Sequence, residues 1–128
     1  MSIRVVRLGS ARVTDEGTRF GTVRRPPRGV PKADWARRDF FDVWLPNLAP
    51  SEALLKAGLA VADERGWKSF ARRYRKEMAA TEPRALIAAL AALSRQASLA
   101  VGCYCADESR CHRALLRELL KEQGAEIR

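Results

Sequence analysis

The stretch Leu99-Ala-Val-Gly-Cys-Tyr-Cys-Ala-Asp-Glu-Ser-Arg-Cys-His-Arg113 holds all three cysteines and the only histidine of a 128-residue chain within ten positions. Leu99 to Val101 is an apolar run of strand type, and Gly102 leads it into Cys103-Tyr104-Cys105. A polar turn follows, and a helical pattern runs from Arg110 onward. The segment therefore reads as strand, loop and helix N-terminus, the unit from which α/β folds are built. In such folds ligands gather at the carboxyl ends of the strands, where free N–H groups and the positive end of the following helix favour an anion or a thiolate.

Working outward, the third helix precedes this strand. Thr81-Glu-Pro83 opens it with Thr81 as cap, and Leu86, Ile87, Leu90 and Leu93 form its apolar face. Before it, Trp67, Phe70, Tyr74 and Met78 fall at helical spacing opposite Lys68, Arg72, Arg73, Arg75 and Lys76. That pattern describes an amphipathic helix with its aromatics in the core. A first helix is capped by Ser51, carries Leu54, Leu55, Leu59, Val61 and Ala62, and is expected to end near Gly66. Ile3 to Leu8, Phe20 to Val23 and the aromatic run Phe40 to Leu45 read as strands, and Asp34 to Arg38 as one helical turn. The last helix spans Arg110 to Gln123, with Leu115, Leu116, Leu119 and Leu120 inward and Gly124 as its stop. Ala125 to Ile127 forms a strand stub. Helices that return to apolar strands predict one compact α/β domain over residues 1–128, Rossmann-like, with a small, mainly parallel sheet flanked by helices.

Hydrophobic content of 47% supplies a core for a domain of this size, as a monomer or a small homo-oligomer. No apolar run approaches the length of a membrane span, and Met1-Ser-Ile-Arg4 lacks a hydrophobic signal core, so a cytoplasmic protein with no membrane partner is expected. In a reducing compartment three cysteines read as free thiols or metal ligands rather than as a disulfide framework. The net charge of +9 would draw anions. Residues 1–40 carry ten basic against four acidic side chains, so six of the nine net charges lie there. The Arg24-Arg-Pro-Pro-Arg-Gly-Val-Pro31 stretch excludes helix and central strand, and its prolines present three arginines from a stiff loop.

Within the cysteine cluster, Cys103 and Cys105 are two apart on a strand and face one way, with Tyr104 facing the other. Cys111, flanked by Arg110, His112 and Arg113 at a helix start, has surroundings that lower a thiol pKa, and Cys105 at the strand end is the alternative nucleophile. Cys103 reads as a small packing residue. A phosphatase-type cradle is excluded, because only four residues separate Cys105 from Arg110 and they include Asp107 and Glu108, which read as helix-start acids. A Cys₃His zinc site matches in composition. However, C-x-C-x₅-C-H is one short segment, and neighbouring Cys111 and His112 would diverge by about 100° on a helix, so no metal and no cofactor is expected.

The segment Val101 to Leu116 resembles the C-terminal motif of the domain-of-unknown-function family 488, the YeaO-like proteins. Arg25-Pro-Pro-Arg-Gly-Val30, Trp44-Leu-Pro-Asn-Leu-Ala-Pro-Ser51 and Trp67-x-x-Phe70-x-x-x-Tyr74-x-x-Glu77 are similar to three further motifs of that family. The resemblance implies a compact α/β domain and carries no activity with it. It does imply a shared pocket between the arginine loop and the Cys-His-Arg helix start. The functional expectation is an anion-binding pocket for a phosphorylated or nucleotide-like ligand, in a thiol-dependent enzyme. Cys105, Cys111 and His112 are the candidate catalytic residues, and Arg25, Arg28, Arg110 and Arg113 the ligand-binding ones. The alternatives are a basic nucleic-acid-binding module and a structural zinc protein.

Overall fold

The alternation of strand and helix patterns becomes a four-stranded sheet in a computed structural model that describes residues 1–128. Its strands are β1 (Ile3–Arg7), β2 (Thr18–Gly21), β3 (Val43–Trp44) and β4 (Leu99–Cys103), and its helices are α1 (Glu52–Leu59), α2 (Glu64–Met78), α3 (Thr81–Leu93) and α4 (His112–Glu122). The sheet order is β1-β4-β2-β3, and every pairing is parallel. The chain thus passes through all four helical segments except the last before returning to insert β4 between β1 and β2. All five residues of β4 are buried, as expected for a central strand of a parallel sheet. Ile127 adds a single parallel bridge beside Ile3, which is what remains of the expected terminal stub.

The strands alternate faces. Ile3, Leu99 and Val101 join Leu54 of α1, Phe70, Tyr74 and Met78 of α2, Ile87 and Leu90 of α3, and Leu115, Leu116 and Leu120 of α4 in one core cluster. The other face carries Arg4, Arg19 and Ala100 in register and is covered by loops. There the Arg19 guanidinium, fully buried, donates two bonds to the Glu16 carboxylate (2.7 and 2.9 Å) and two more to the carbonyls of Ser10 and Asp39. The pair is fully hydrogen-bonded, which is the condition for burying charge. A second, smaller cluster of Leu8, Val23, Phe41, Cys103 and Cys111 closes the carboxyl ends of the strands.

Several element boundaries differ from the sequence expectation, for local reasons. Phe40 to Leu45 is not a long buried strand. Only Val43–Trp44 pairs, because the Phe41 ring turns in beneath Gly21, leaving no room there for a Cβ, and the Asp42 carboxylate accepts the Arg19 backbone N–H. The first helix stops at Leu59 rather than near Gly66. Asp63 accepts the Gly66 N–H and so starts α2 afresh, with Gly66 inside it. Ala80, not Thr81, occupies the cap position of α3, and Leu93 is exposed.

Two of the sequence motifs meet in space. Ser51, which caps α1 by accepting the Leu54 N–H, gives both its N–H and its hydroxyl to the Glu77 carboxylate of α2. Trp67, Phe70 and Tyr74 stack in succession along α2, and the Tyr74 hydroxyl donates to the Leu48 carbonyl. This locks the floor on which the cysteine segment rests. No helix is long and apolar enough to cross a membrane.

Candidate functional site

Gly102 decides how closely the neighbouring backbones approach the cysteine segment. A Cβ there would meet the Leu8 side chain at 2.6 Å and the Val6 carbonyl oxygen at 2.9 Å, so β4 passes at a distance that only glycine permits. The strand ends on Cys103, and Tyr104 turns away to stack edge-on against Phe40 and to donate its hydroxyl to the Arg25 carbonyl. Cys105 then returns to the face of Cys103, with the two sulfurs 3.9 Å apart.

Asp107 accepts the Ser109 N–H and so caps a 3₁₀ turn over Glu108–Arg110, while Glu108 forms a two-pronged pair with Arg117. Both acids are thus structural. Helix α4 starts at His112, two residues later than the pattern suggested, and Cys111 is its N-cap with extended backbone (φ −118°, ψ 151°). Cys111 and His112 therefore do not diverge as two helical neighbours would. The Cys111 sulfur lies 3.7 Å from His112 Nδ1. The donor atoms of Cys103, Cys111 and His112, all buried, lie within 4.8 Å of one another.

His112 Nε2 sits 2.7 Å from the Thr22 carbonyl oxygen, which can only accept. Nε2 consequently carries a proton and donates it, so in the neutral ring the Nδ1 lone pair faces the sulfurs. Thr22 is itself pinned, since its hydroxyl donates to the Gly102 carbonyl at 2.9 Å. The end of β2 was not among the sequence-predicted site residues. Its position just past a strand terminus, beside a returning strand, was the available signal.

Behind Cys105 lies Arg113. It is buried, donates Nη2 to the Cys105 carbonyl at 2.5 Å, pairs with no carboxylate, and has its Nε without a partner. A buried guanidinium lacking a counter-ion favours a negative charge next to it. The sulfurs respond as a set. Hydrogen bonds from Cys103 and Cys111, aided by the Arg113 charge and opposed by desolvation, pull the Cys105 thiol down to about 3. Cys103 is pushed strongly upward, chiefly because its proton is held by Cys105 and Cys111. Cys111 is lowered by its bond with Cys103 and, more weakly, by His112. The three sulfurs titrate as one set in which the proton is held at Cys103 and negative charge is favoured at Cys105 and Cys111.

Cys105 is the only exposed cysteine of the three. It opens into a cleft of about 80 Å³ whose walls include Trp67, Phe70, Leu55, Leu59 and Arg110. Arg110 lies over the Trp67 ring and pairs with Glu64 at the rim. The remaining predicted ligand arginines stand elsewhere. The exposed Arg25 guanidinium pairs with Glu52, and Arg28 is exposed without a partner. Arg24, from the same loop, is structural and donates to the carbonyls of Pro46, Ala49 and Pro50. Of the wider N-terminal basic set, Arg12 and Arg37 are also held by acids. A larger groove of about 590 Å³ beside β3 is lined by Trp35, Phe41 and Trp44 and contains no cysteine or histidine.

Residues 3–124 match the family model described as the Active DUF488-N3 subclade. Neither the curated proteins nor the solved structures contain a match to the chain.

Proposed function

The chain belongs to the DUF488 family, within the DUF488-N3 subclade, and on that premise we propose that the strand-end cleft is a reaction centre of thiol type. Its nucleophile is Cys105 Sγ, and its substrate is a small electrophile bearing an anionic group. The observation that carries this reading is the pairing of one exposed thiol with a buried, uncompensated guanidinium, Arg113. A thiolate is the nucleophilic form of cysteine, and a fixed positive charge beside it is what a reactive cysteine requires. Cys103 donates an S–H bond to that thiolate, and His112, whose Nδ1 faces the Cys111 sulfur, holds or returns a proton through that nitrogen. Arg113 stabilises charge at Cys105, with Arg110 at the rim. Arg25 and Arg28 stand outside this cleft, on a loop tied to the cysteine segment only through the Tyr104 hydroxyl's bond to the Arg25 carbonyl. The description of the matching subclade as active agrees with a catalytic role. Free thiols of this kind need a reducing compartment, so a cytoplasmic setting is part of the proposal.

The test compares alkylation by neutral iodoacetamide and anionic iodoacetate. The folded protein should raise the iodoacetate-to-iodoacetamide rate ratio above that of the same chain in urea, and Cys105→Ser should abolish the fast phase. An unchanged ratio sinks the anion-assisted site.

A nucleic-acid-binding surface is the second reading, and what favours it is the exposure of Lys68, Arg72, Arg73 and Lys76 along α2 without acidic partners. It predicts oligonucleotide affinity that falls log-linearly with salt.

A further inference from the structure

The three sulfurs and the imidazole have an arrangement that exceeds what a nucleophilic thiol needs. Resting on the thiol reading above, we infer that Cys103, Cys111 and His112 form a Zn²⁺ site whose fourth ligand is Cys105, so that zinc masks the reacting thiol reversibly.

The geometry argues for this in three steps. Zn–S bonds of about 2.3 Å and Zn–N bonds of about 2.0 Å set tetrahedral edges of roughly 3.8 Å between sulfurs and roughly 3.5 Å between sulfur and nitrogen. The observed Cys103–Cys105 and Cys111–His112 separations are 3.9 and 3.7 Å, and the three buried donors all lie within 4.8 Å of one another. Next, the Nε2–H bond to the Thr22 carbonyl aims the Nδ1 lone pair at the sulfurs, which is how metal-binding histidines are oriented by their outer partners. Finally, three thiolates and Zn²⁺ sum to a charge of −1, and the buried Arg113 supplies the compensating +1.

The extended backbone of Cys111 makes the set possible, because a helical Cys111 would point away from His112. Binding displaces the thiol protons to solvent, and no redox step is involved. The three buried ligands would hold the ion while Cys105, at the mouth, is the one that an incoming electrophile meets.

The experiment uses the full chain, reduced and stripped by a chelator. Zn²⁺ is titrated against a chromophoric chelator, Co²⁺ serves as a spectroscopic probe, and Cys105 alkylation by iodoacetamide is followed with and without Zn²⁺. The expected results are one ion per chain, thiolate-to-cobalt charge-transfer bands with tetrahedral d–d absorption, and alkylation slowed in proportion to 1 + [Zn²⁺]/Kd. Cys103→Ser and His112→Gln should each weaken binding by at least the about 10–100-fold typical of changes around a metal site. Because buried substitutions risk misfolding, the cobalt spectrum of the unmutated chain stands as an independent readout. Binding no tighter than in urea, or cobalt bands without thiolate character, overturns the inference while leaving selective Cys105 alkylation intact. One bound ion with no selective Cys105 alkylation in the stripped protein overturns the thiol reading and, with it, masking.

Discussion

Cys103, Cys105 and Cys111 share one patch of the molecule but not one role, and the difference follows from what surrounds each sulfur. Cys105 is open to solvent and backed by Arg113, whereas the other two are buried, the Cys103 sulfur against that of Cys105 and the Cys111 sulfur against His112 Nδ1. The sequence pointed to Cys105, Cys111 and His112 because those residue types cluster, and it set Cys103 aside as packing. Cys103 does pack, yet its sulfur also contacts that of Cys105, a contact that depends on where the chain turns after β4. Arg19 shows the opposite gap. It counted toward a basic N-terminal region in the sequence, but burial with Glu16 removes it from any surface. Replacing Glu16 by Gln should cost about 3–5 kcal/mol in urea unfolding at neutral pH, since it leaves a buried charge unpaired. Burial opposes ionisation of Glu16, but the Arg19 hydrogen bonds and charge outweigh it and hold the carboxyl below its ordinary 4.5. The stabilisation is therefore complete above that value and lost as pH falls through the depressed one. The gap between wild type and Glu16→Gln should accordingly shrink in strongly acidic solution.

At the scale of elements, strand and helix types were legible because hydrophobic periodicity depends on the sequence alone. Their ends were less so, because ends are set by side chains reaching the backbone. Asp63 starts α2, and Cys111 lies outside α4. That second boundary matters for chemistry, since it turns Cys111 and His112 toward each other. Gly102 supports the same region from below. Gly102→Ala should destabilise by about 1–3 kcal/mol through overpacking against Leu8 and Val6, measured as a lowered urea midpoint with an unchanged m-value. By contrast, Arg75 bridges Glu118 and Glu122 on a solvent-facing seam between α2 and α4. Arg75→Ala should cost less than about 1 kcal/mol and lose most of that effect in high salt.

At the scale of the molecule, a parallel sheet was legible from the return of apolar strands after helices, and residues 3–124 match one family model throughout. The sheet order was not legible, because the insertion of β4 between β1 and β2 is a long-range event that no local pattern encodes. That insertion nevertheless makes the site. It brings Thr22 at the end of β2, Cys103 at the end of β4 and the start of α4 to one point, 80 or 90 residues apart in the chain. The central claim is that this convergence makes one cysteine reactive. Its most direct test is the rate at which each of the three cysteines is alkylated by iodoacetamide in the reduced, metal-stripped protein, followed peptide by peptide by mass spectrometry. Cys105 should label first, and faster than it does in urea, with Cys103 and Cys111 protected until the chain unfolds. Labelling of Cys103 or Cys111 ahead of Cys105, or three equal rates matching those in urea, would contradict it.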